Sequence, residues 1–195
     1  PIGAGFGTSA AFALGISFTL PKLMGINISF KEAGEIAHLA EISQSSGLGD
    51  VISEMFGCCV IRLNEGSPVK GIIDKIPITK PIYVITKTIG LLETKDIIEN
   101  PIHQKHINQS GSILLNRLIN NPSISNFMKL SRKFANDTQL ISKEIAEIIN
   151  ILDEETLGAS MAMLGNTAFA LSYSPDTTID NPIITKINTK GIEYK

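Results

Sequence analysis

Apolar residues recur with helical spacing in the first fifty positions of the chain. Residues 12–20 follow Ala10 and Ala11 and are mostly apolar, which predicts a buried helix that Pro21 ends. Ser29 and Glu32 fit the capping box that opens a helix, and we expect that helix at about residues 30–43. Its predicted apolar face comprises Ala33, Ile36, Ala37 and Ala40.

Runs of β-branched residues follow and predict strands. The runs 58–63 and 69–76 are separated by turn-forming residues, which predicts a hairpin. Two prolines, Pro77 and Pro81, break any continuing element, so we place a domain boundary near Lys80. Beyond it we expect strands at 82–86, 168–172 and 183–188, and helices at 95–120 with a break near Pro101, at 124–135 and at 139–152.

The composition is that of a folded protein without a nucleic-acid or membrane signature. Of 195 residues, 43% are hydrophobic and 18% are charged, which is sufficient for a sizeable core. The net charge of −2 and the absence of tryptophan argue against nucleic-acid binding. No apolar run approaches the ~20 residues of a membrane helix. Cys58 and Cys59 are adjacent and suit neither a disulfide framework nor a zinc site, which favours a reducing, cytoplasmic location.

The chain opens with a loop in which glycine occupies every second position, at Gly3, Gly5 and Gly7. Glycine permits backbone conformations that expose N–H groups as an anion site, and a helix N-terminus directly after it favours phosphate. The loop lacks both the Walker sequence and the spacing of the dinucleotide fingerprint. The alternative is a tight turn that binds no ligand.

Residues 1–11, PIGAGFGTSAA, resemble the second motif of the GHMP kinases, P-x-x-x-G-L-G-S-S-A-A. This family includes galactokinase, homoserine kinase, mevalonate kinase and phosphomevalonate kinase. The resemblance implies that the loop wraps the phosphates of ATP and that Ser9 helps to hold Mg²⁺. The residues that it assigns to ATP are Gly3, Ala4, Gly5, Phe6, Gly7, Thr8 and Ser9.

A second segment, from Glu41 to Asp50, resembles the family's magnesium-binding glutamate and the Ser-Gly-x-Asp loop that follows it. The resemblance implies that Glu41 binds Mg²⁺ and that Asp50 orients or deprotonates the acceptor hydroxyl. Magnesium prefers a few carboxylates together with phosphate oxygens, which suits one glutamate and one serine. The loop is one residue longer than the family pattern. The alternative for Asp50 is an N-cap of a helix that begins at Val51.

A third segment, MLGNT at residues 163–167, replaces the family's usual glycine-rich third motif. With the first two segments it resembles the archaeal pantoate kinase branch, which implies ATP-dependent phosphorylation of the 4-hydroxyl of pantoate in coenzyme A biosynthesis. Gly165 and Asn166 are then expected to line the substrate side of the site. Arg62, a lone basic residue in an apolar strand, could meet the pantoate carboxylate or form a simple ion pair.

The resemblance implies an α+β fold in two lobes, a partial lobe similar to ribosomal protein S5 at residues 1–80 and a ferredoxin-like lobe at 81–195. The expected ligands are ATP, Mg²⁺ and a small hydroxy acid, and a homodimer is left open. The alternatives are a mevalonate- or homoserine-type kinase, a non-catalytic ligand sensor on the same scaffold, and a binding module whose glycine turns are only structural. Because the chain opens inside a motif, we expect that upstream residues belong to the fold and that residues 1–195 alone are inactive and poorly soluble.

Overall fold

A computed structural model describes residues 2–46, 49–90, 101–163 and 165–193. The helices are α1 (Thr8–Leu23), α2 (Phe30–Ser43), α3 (Asp50–Phe56), α4 (Pro101–Asn120), α5 (Ile124–Asp137) and α6 (Lys143–Glu155). The strands are β1 (Cys59–Arg62), β2 (Ile73–Ile76), β3 (Tyr83–Gly90), β4 (Ala159–Met161), β5 (Asn166–Ser172) and β6 (Ile183–Lys186). The predicted combination of helices and sheet is therefore confirmed.

The chain divides into two compact units. The sheet unit comprises Pro1–Phe6 and Ile78–Ile187, and the helical unit comprises Gly7–Pro77 and Asn188–Lys195. The glycine-rich loop therefore passes from the sheet unit into the helical unit between Phe6 and Gly7.

The sheet unit is built on four antiparallel strands in the order β4-β5-β3-β6. Helices α5 and α6 pack on this sheet, and α4 packs on α5. Ile85 on β3 and the apolar side of α6, including Ile145 and Leu152, form a core from which solvent is excluded. This layered arrangement buries one face of the sheet under amphipathic helices.

The helical unit consists of α1, α2, α3 and the antiparallel β1–β2 hairpin. Its core contains large residues such as Leu14 and Met55, and the helices meet at small ones, since Ala10 on α1 and Ala33 and Ala37 on α2 are almost completely buried. Such residues allow helix backbones to approach closely. The capping box of α2 is present as predicted, since the Ser29 hydroxyl accepts from the Glu32 N–H and the Glu32 carboxylate accepts from the Ser29 N–H.

Residues 188–192 run along the end of α3 within the helical unit. The Ile192 N–H donates to the Met55 carbonyl (3.1 Å), and the Cys58 N–H donates to the Asn188 carbonyl (2.7 Å). A Cβ on Gly191 would overlap the Met55 carbonyl, so only glycine permits this approach. We call residues 188–192 the return segment.

Two helix predictions in the helical unit were wrong. Pro21 lies inside the last turn of α1 rather than ending it, and the helix ends where Gly25 adopts φ +68°. The Ile26 N–H bonds to the Pro21 carbonyl and the Gly25 N–H to the Lys22 carbonyl, which is a Schellman motif. On α2, the buried side is rotated from the predicted one, because Ile36 and Ala40 are exposed.

Several predicted strand and helix limits also shift. The second strand of the hairpin is confined to Ile73–Ile76, because residues 67–71 form a turn in which the Lys70 and Gly71 N–H groups both bond to the Ser67 carbonyl. Helix α6 begins at Lys143 after the N-cap Ser142, and β4 was not predicted. The parts of the predicted motifs and helix that fall on positions 1, 47–48, 91–100 and 164 lie outside the described residues.

Candidate active site

The first turn of α1 has backbone N–H groups that no carbonyl of the same helix accepts. Gly7 is the N-cap residue, with φ +64°, and it supplies no side chain to cap the helix. Its carbonyl accepts the first intrahelical bond from the Ala11 N–H (3.0 Å). The N–H groups of the first turn precede that bond and therefore have no intrahelical acceptor, which makes this end of the helix attractive to anions.

A buried carboxylate lies beside the first turn of α1. Glu41, on the buried side of α2, is only 4% exposed. Its two oxygens accept hydrogen bonds from different hydroxyl groups, one from Ser9 (3.1 Å) and one from Ser46 (2.9 Å). The structure therefore brings together Ser9 and Glu41, which are 32 positions apart in the sequence.

Two more carboxyl groups lie one turn apart on α3. A Cβ built on Gly7 would overlap Glu54 Oε1 and would stand 3.1 Å from Asp50 Cβ, so both side chains lie against the N-cap of α1. Burial and the charge of Glu41 raise the pKa of Asp50, while Arg62 acts in the opposite direction. Burial, with the charges of Asp50 and Glu41, raises the pKa of Glu54 to about 8.

The first residue of α3 does not act as a helix cap. Gly49 is the N-cap residue, no side chain caps the helix there, and Asp50 is already inside it. The alternative interpretation of Asp50 as an N-cap is therefore wrong. Its carboxyl group remains available to a ligand at the start of α1.

Arg62 lies on β1 and is half-buried. Its Nη2 donates to the Gly66 carbonyl in the hairpin loop (2.8 Å). It is also close enough to Asp50 to oppose the rise in that residue's pKa. Arg62 thus supplies a positive charge beside the acidic cluster formed by Glu41, Asp50 and Glu54.

The donor set at Ser9 and Glu41 suits a magnesium ion that shares its coordination with phosphate. Within the described ranges, no group of three or more histidine, cysteine, aspartate or glutamate side chains is arranged to hold a metal ion. A hydroxyl and a carboxylate oxygen 3.1 Å apart could occupy adjacent positions around one ion. Mg²⁺ commonly takes one or two protein oxygens and completes an octahedron with phosphate and water.

The remaining expected residues lie in the sheet unit. The Gly165 N–H donates to the Ala162 carbonyl (2.8 Å), and a Cβ on Gly165 would overlap the backbone of Ala4. Packing against the opening turn is therefore a sufficient reason for glycine at this position. Asn166 begins β5, and its Oδ1 accepts a hydrogen bond from the Ser142 hydroxyl (3.2 Å), which fixes the orientation of the amide.

Two residues of the candidate site, Ser46 and Glu54, were not predicted from the sequence. Ser46 becomes relevant only because the chain turns after α2 and returns its hydroxyl to Glu41. The sequence spacing does indicate Glu54, since it follows Asp50 by four positions and shares a helix face with it when the segment is helical. That signal could have been used once α3 was expected.

The family model described as the GHMP kinases N terminal domain matches residues 1–58. A pantoate kinase from Methanocaldococcus jannaschii is 38% identical over 192 residues, which cover 96% of this chain and 69% of that protein. A pantoate kinase from Methanospirillum hungatei is also 38% identical, over 92% of this chain and 59% of its own length. The chain therefore spans roughly three fifths to two thirds of the curated relatives that it matches.

Solved structures with a similar fold include a phosphotransferase and a mevalonate kinase. One titled "Phosphotransferase related to CoA biosynthesis pathway" superposes with a TM-score of 0.82 at 29% identity, covering 98% of this chain and 65% of that one. A mevalonate kinase from Methanococcus jannaschii superposes with a TM-score of 0.68 at 13% identity, over 99% of this chain and 66% of that one, which indicates a common fold. Along the described segments, no helix has the length and apolar character needed to cross a bilayer. The family and the fold class predicted from the motifs are confirmed: the chain belongs to the GHMP kinase family.

Proposed function

We propose that this protein transfers a phosphoryl group from ATP to the 4-hydroxyl of pantoate, in the cytoplasm, as a step of coenzyme A biosynthesis. The observation that carries the choice of acceptor is the 38% identity to the M. jannaschii pantoate kinase over 192 residues. A mevalonate kinase with the same fold is only 13% identical, which gives no support for mevalonate as the acceptor.

The start of α1 and the loop before it are assigned to the phosphates of ATP. N–H groups without an intrahelical acceptor and the positive end of the helix dipole stabilise phosphate oxygens there. Ser9 and Glu41 would hold Mg²⁺, whose contribution is to neutralise charge on the phosphate oxygens. The hydrogen bond from Ser46 keeps the Glu41 carboxylate in place.

Asp50 is assigned to the acceptor hydroxyl. Its carboxylate would accept the hydroxyl proton as the oxygen attacks the γ-phosphate, and its raised pKa makes it a better proton acceptor than an exposed aspartate. Arg62 is assigned to the pantoate carboxylate, and the amide of Asn166 to the substrate. The side chains of Asp50 and Arg62 would thereby fix both ends of a small hydroxy acid.

The acceptor is tested by measuring ADP release with the complete gene product and Mg-ATP. Pantoate is expected to support turnover with a kcat/KM at least about a hundredfold above that of mevalonate, homoserine or shikimate, because a site built for one polar pattern rejects others strongly. Comparable turnover with mevalonate or homoserine would contradict the proposed acceptor. Absence of turnover with all four would contradict a kinase of this type.

The roles of the acidic residues are tested by matched amide substitutions. Asp50→Asn is expected to lower kcat by about 10²–10⁴-fold with little change in the dissociation constant of ATP. Glu41→Gln is expected to raise the Mg²⁺ concentration that gives half-maximal activity. Asp74→Asn, at an exposed position of β2, is the control and should behave as the wild type. Full activity in both site variants would contradict the assignment of the site.

A further inference from the structure

We propose that Glu54 is a further positioning residue of the phosphoryl-transfer site, and that it must carry a proton for phosphate to bind at the start of α1. This inference rests on the proposed function, because it takes the start of α1 as the place where the nucleotide phosphates bind. The role of Glu54 follows from its position and from the charges around it.

Glu54 occupies the space that a side chain on the N-cap residue would need. A Cβ on Gly7 would overlap Glu54 Oε1, so the carboxyl group lies directly against the backbone that begins α1. Within the helical unit, Glu54 is on the same face of α3 as Asp50, one turn further on. Any charge on Glu54 therefore lies beside the N-terminal end of α1, where the first N–H groups have no intrahelical acceptor.

The surroundings of Glu54 are predominantly acidic. Its own helix places Asp50 beside it, and the charge of Glu41 on α2 also acts on it. The first turn of α1 carries no acidic residue. The titratable or charged side chains in the elements that pack on α3 are Lys22 on α1, Lys31, Glu32, Glu35, His38 and Glu41 on α2, Cys59 and Arg62 on β1, and Lys190 in the return segment, and Lys75 on β2 donates to the Phe56 carbonyl at the end of α3.

Three carboxyl groups and one nearby guanidinium cannot all be ionised at low cost in a partly buried cluster. Like charges in close proximity force the most destabilised member to keep its proton. Glu54 is that member, because burial and two neighbouring carboxylates raise its pKa to about 8. At neutral pH the side chain is therefore a neutral group packed on Gly7.

Ionisation of Glu54 would change how the start of α1 interacts with anions. A carboxylate at this position is itself attracted by the helix N-terminus and repels a phosphate group at the same end. A neutral carboxyl group does neither. Nucleotide affinity is therefore expected to fall as pH rises through the titration of Glu54, and the N-cap would remain in place throughout.

The experiment measures the dissociation constant of a magnesium complex of a non-hydrolysable ATP analogue at pH 7 and pH 9, with the complete gene product. Wild-type affinity is expected to fall about tenfold, the size of one added charge a few ångströms from a phosphate at partial exposure. Glu54→Gln, which has the shape of the protonated side chain and cannot ionise, is expected to change less than about twofold. Glu65→Gln, on an exposed loop of the same unit, is the control and should follow the wild type.

A second measurement needs no variant. Titration calorimetry of the wild type at pH 8, in buffers of different ionisation enthalpy, is expected to show uptake of about half a proton on nucleotide binding. Binding of equal strength at pH 7 and pH 9 without proton uptake would overturn the role of Glu54 and leave the proposed function intact. The same pH dependence in Glu54→Gln as in the wild type would also overturn it. A wild-type protein that binds no nucleotide at pH 7 would contradict both proposals.

Discussion

The sheet unit and the helical unit differ in how many large apolar side chains they leave exposed. In the sheet unit, large side chains such as Ile85 and Leu152 are fully buried between strands and helices. The helical unit also buries large side chains, such as Leu14 and Met55, but it leaves others on α1, such as Phe12 and Ile16, more than 60% exposed. The acidic cluster of Glu41, Asp50 and Glu54 lies in the helical unit, where burial and neighbouring carboxylates disfavour the ionised forms of Asp50 and Glu54. A side chain removed from a fully buried position should therefore cost far more than one removed from an exposed position.

The largest expected effect on stability is in the sheet core. Leu152→Ala removes a fully buried side chain and is expected to lower the free energy of unfolding by about 3–4 kcal/mol. Ile151→Ala, the adjacent position on α6, removes a side chain that is 43% exposed and should cost less than about 1 kcal/mol. Urea denaturation followed by circular dichroism measures both. Equal losses of unfolding free energy in the two variants would mean that Leu152 is not on the buried side of α6.

A smaller effect on stability is expected at the N-cap of α1, together with a loss of ligand binding. Gly7→Ala places a Cβ on a residue with φ +64° and against Glu54 and Asp50, which should cost about 1–2 kcal/mol. We expect the affinity for nucleotide to fall at least about tenfold, because the first turn must shift.

Gly15→Ala is the matched control, also on α1. A Cβ at Gly15 has no neighbour within 4 Å, and alanine is favoured in a helix interior, so a gain of about 0.5–1 kcal/mol is expected. Thermal unfolding and nucleotide titration of the two variants give the comparison. A Gly7→Ala protein that binds nucleotide like the wild type would show that the start of α1 does not contact the phosphates.

The smallest effect is expected on the exposed side of α2. Ile36 is 50% exposed, so Ile36→Gln in the 195-residue chain should change the free energy of unfolding by no more than about 0.5 kcal/mol. Ala37→Gln, one position further, forces an amide into the helical core and should cost more than about 2 kcal/mol. Denaturation curves of the two variants distinguish these positions. A large loss with Ile36→Gln would mean that this side of α2 is packed.

Features that depend on neighbouring residues in the sequence could be predicted, and features that depend on tertiary packing could not. Helix α2 has the predicted limits because its capping box is contained within four residues. The end of α1 was predicted wrongly, because Pro21 removes one backbone donor without stopping the helix and the left-handed Gly25 decides the boundary. Helical periodicity places Ile36 on an apolar stripe, but it does not say which part of the stripe meets α1.

The same distinction applies to the candidate site. Ser9, Glu41 and Asp50 were named from motifs, and their roles remain predictions. That Ser9 meets Glu41 depends on how α1 packs against α2, which no local pattern contains. The titration of Glu54 depends on burial and on two charges from different elements, so it is a property of the folded chain alone.

The return segment has a consequence for the order in which the protein is made. The Cys58 Sγ donates to the Thr189 carbonyl across 131 positions of sequence, and the end of α3 acquires this partner only when that stretch has been synthesised. Residues 78–187 of the sheet unit are complete before then and can form their sheet and helices first, because units generally fold once their own segments have emerged from the ribosome. The end of α3 therefore gains its last hydrogen-bond partners only after almost the whole of this sequence has been synthesised.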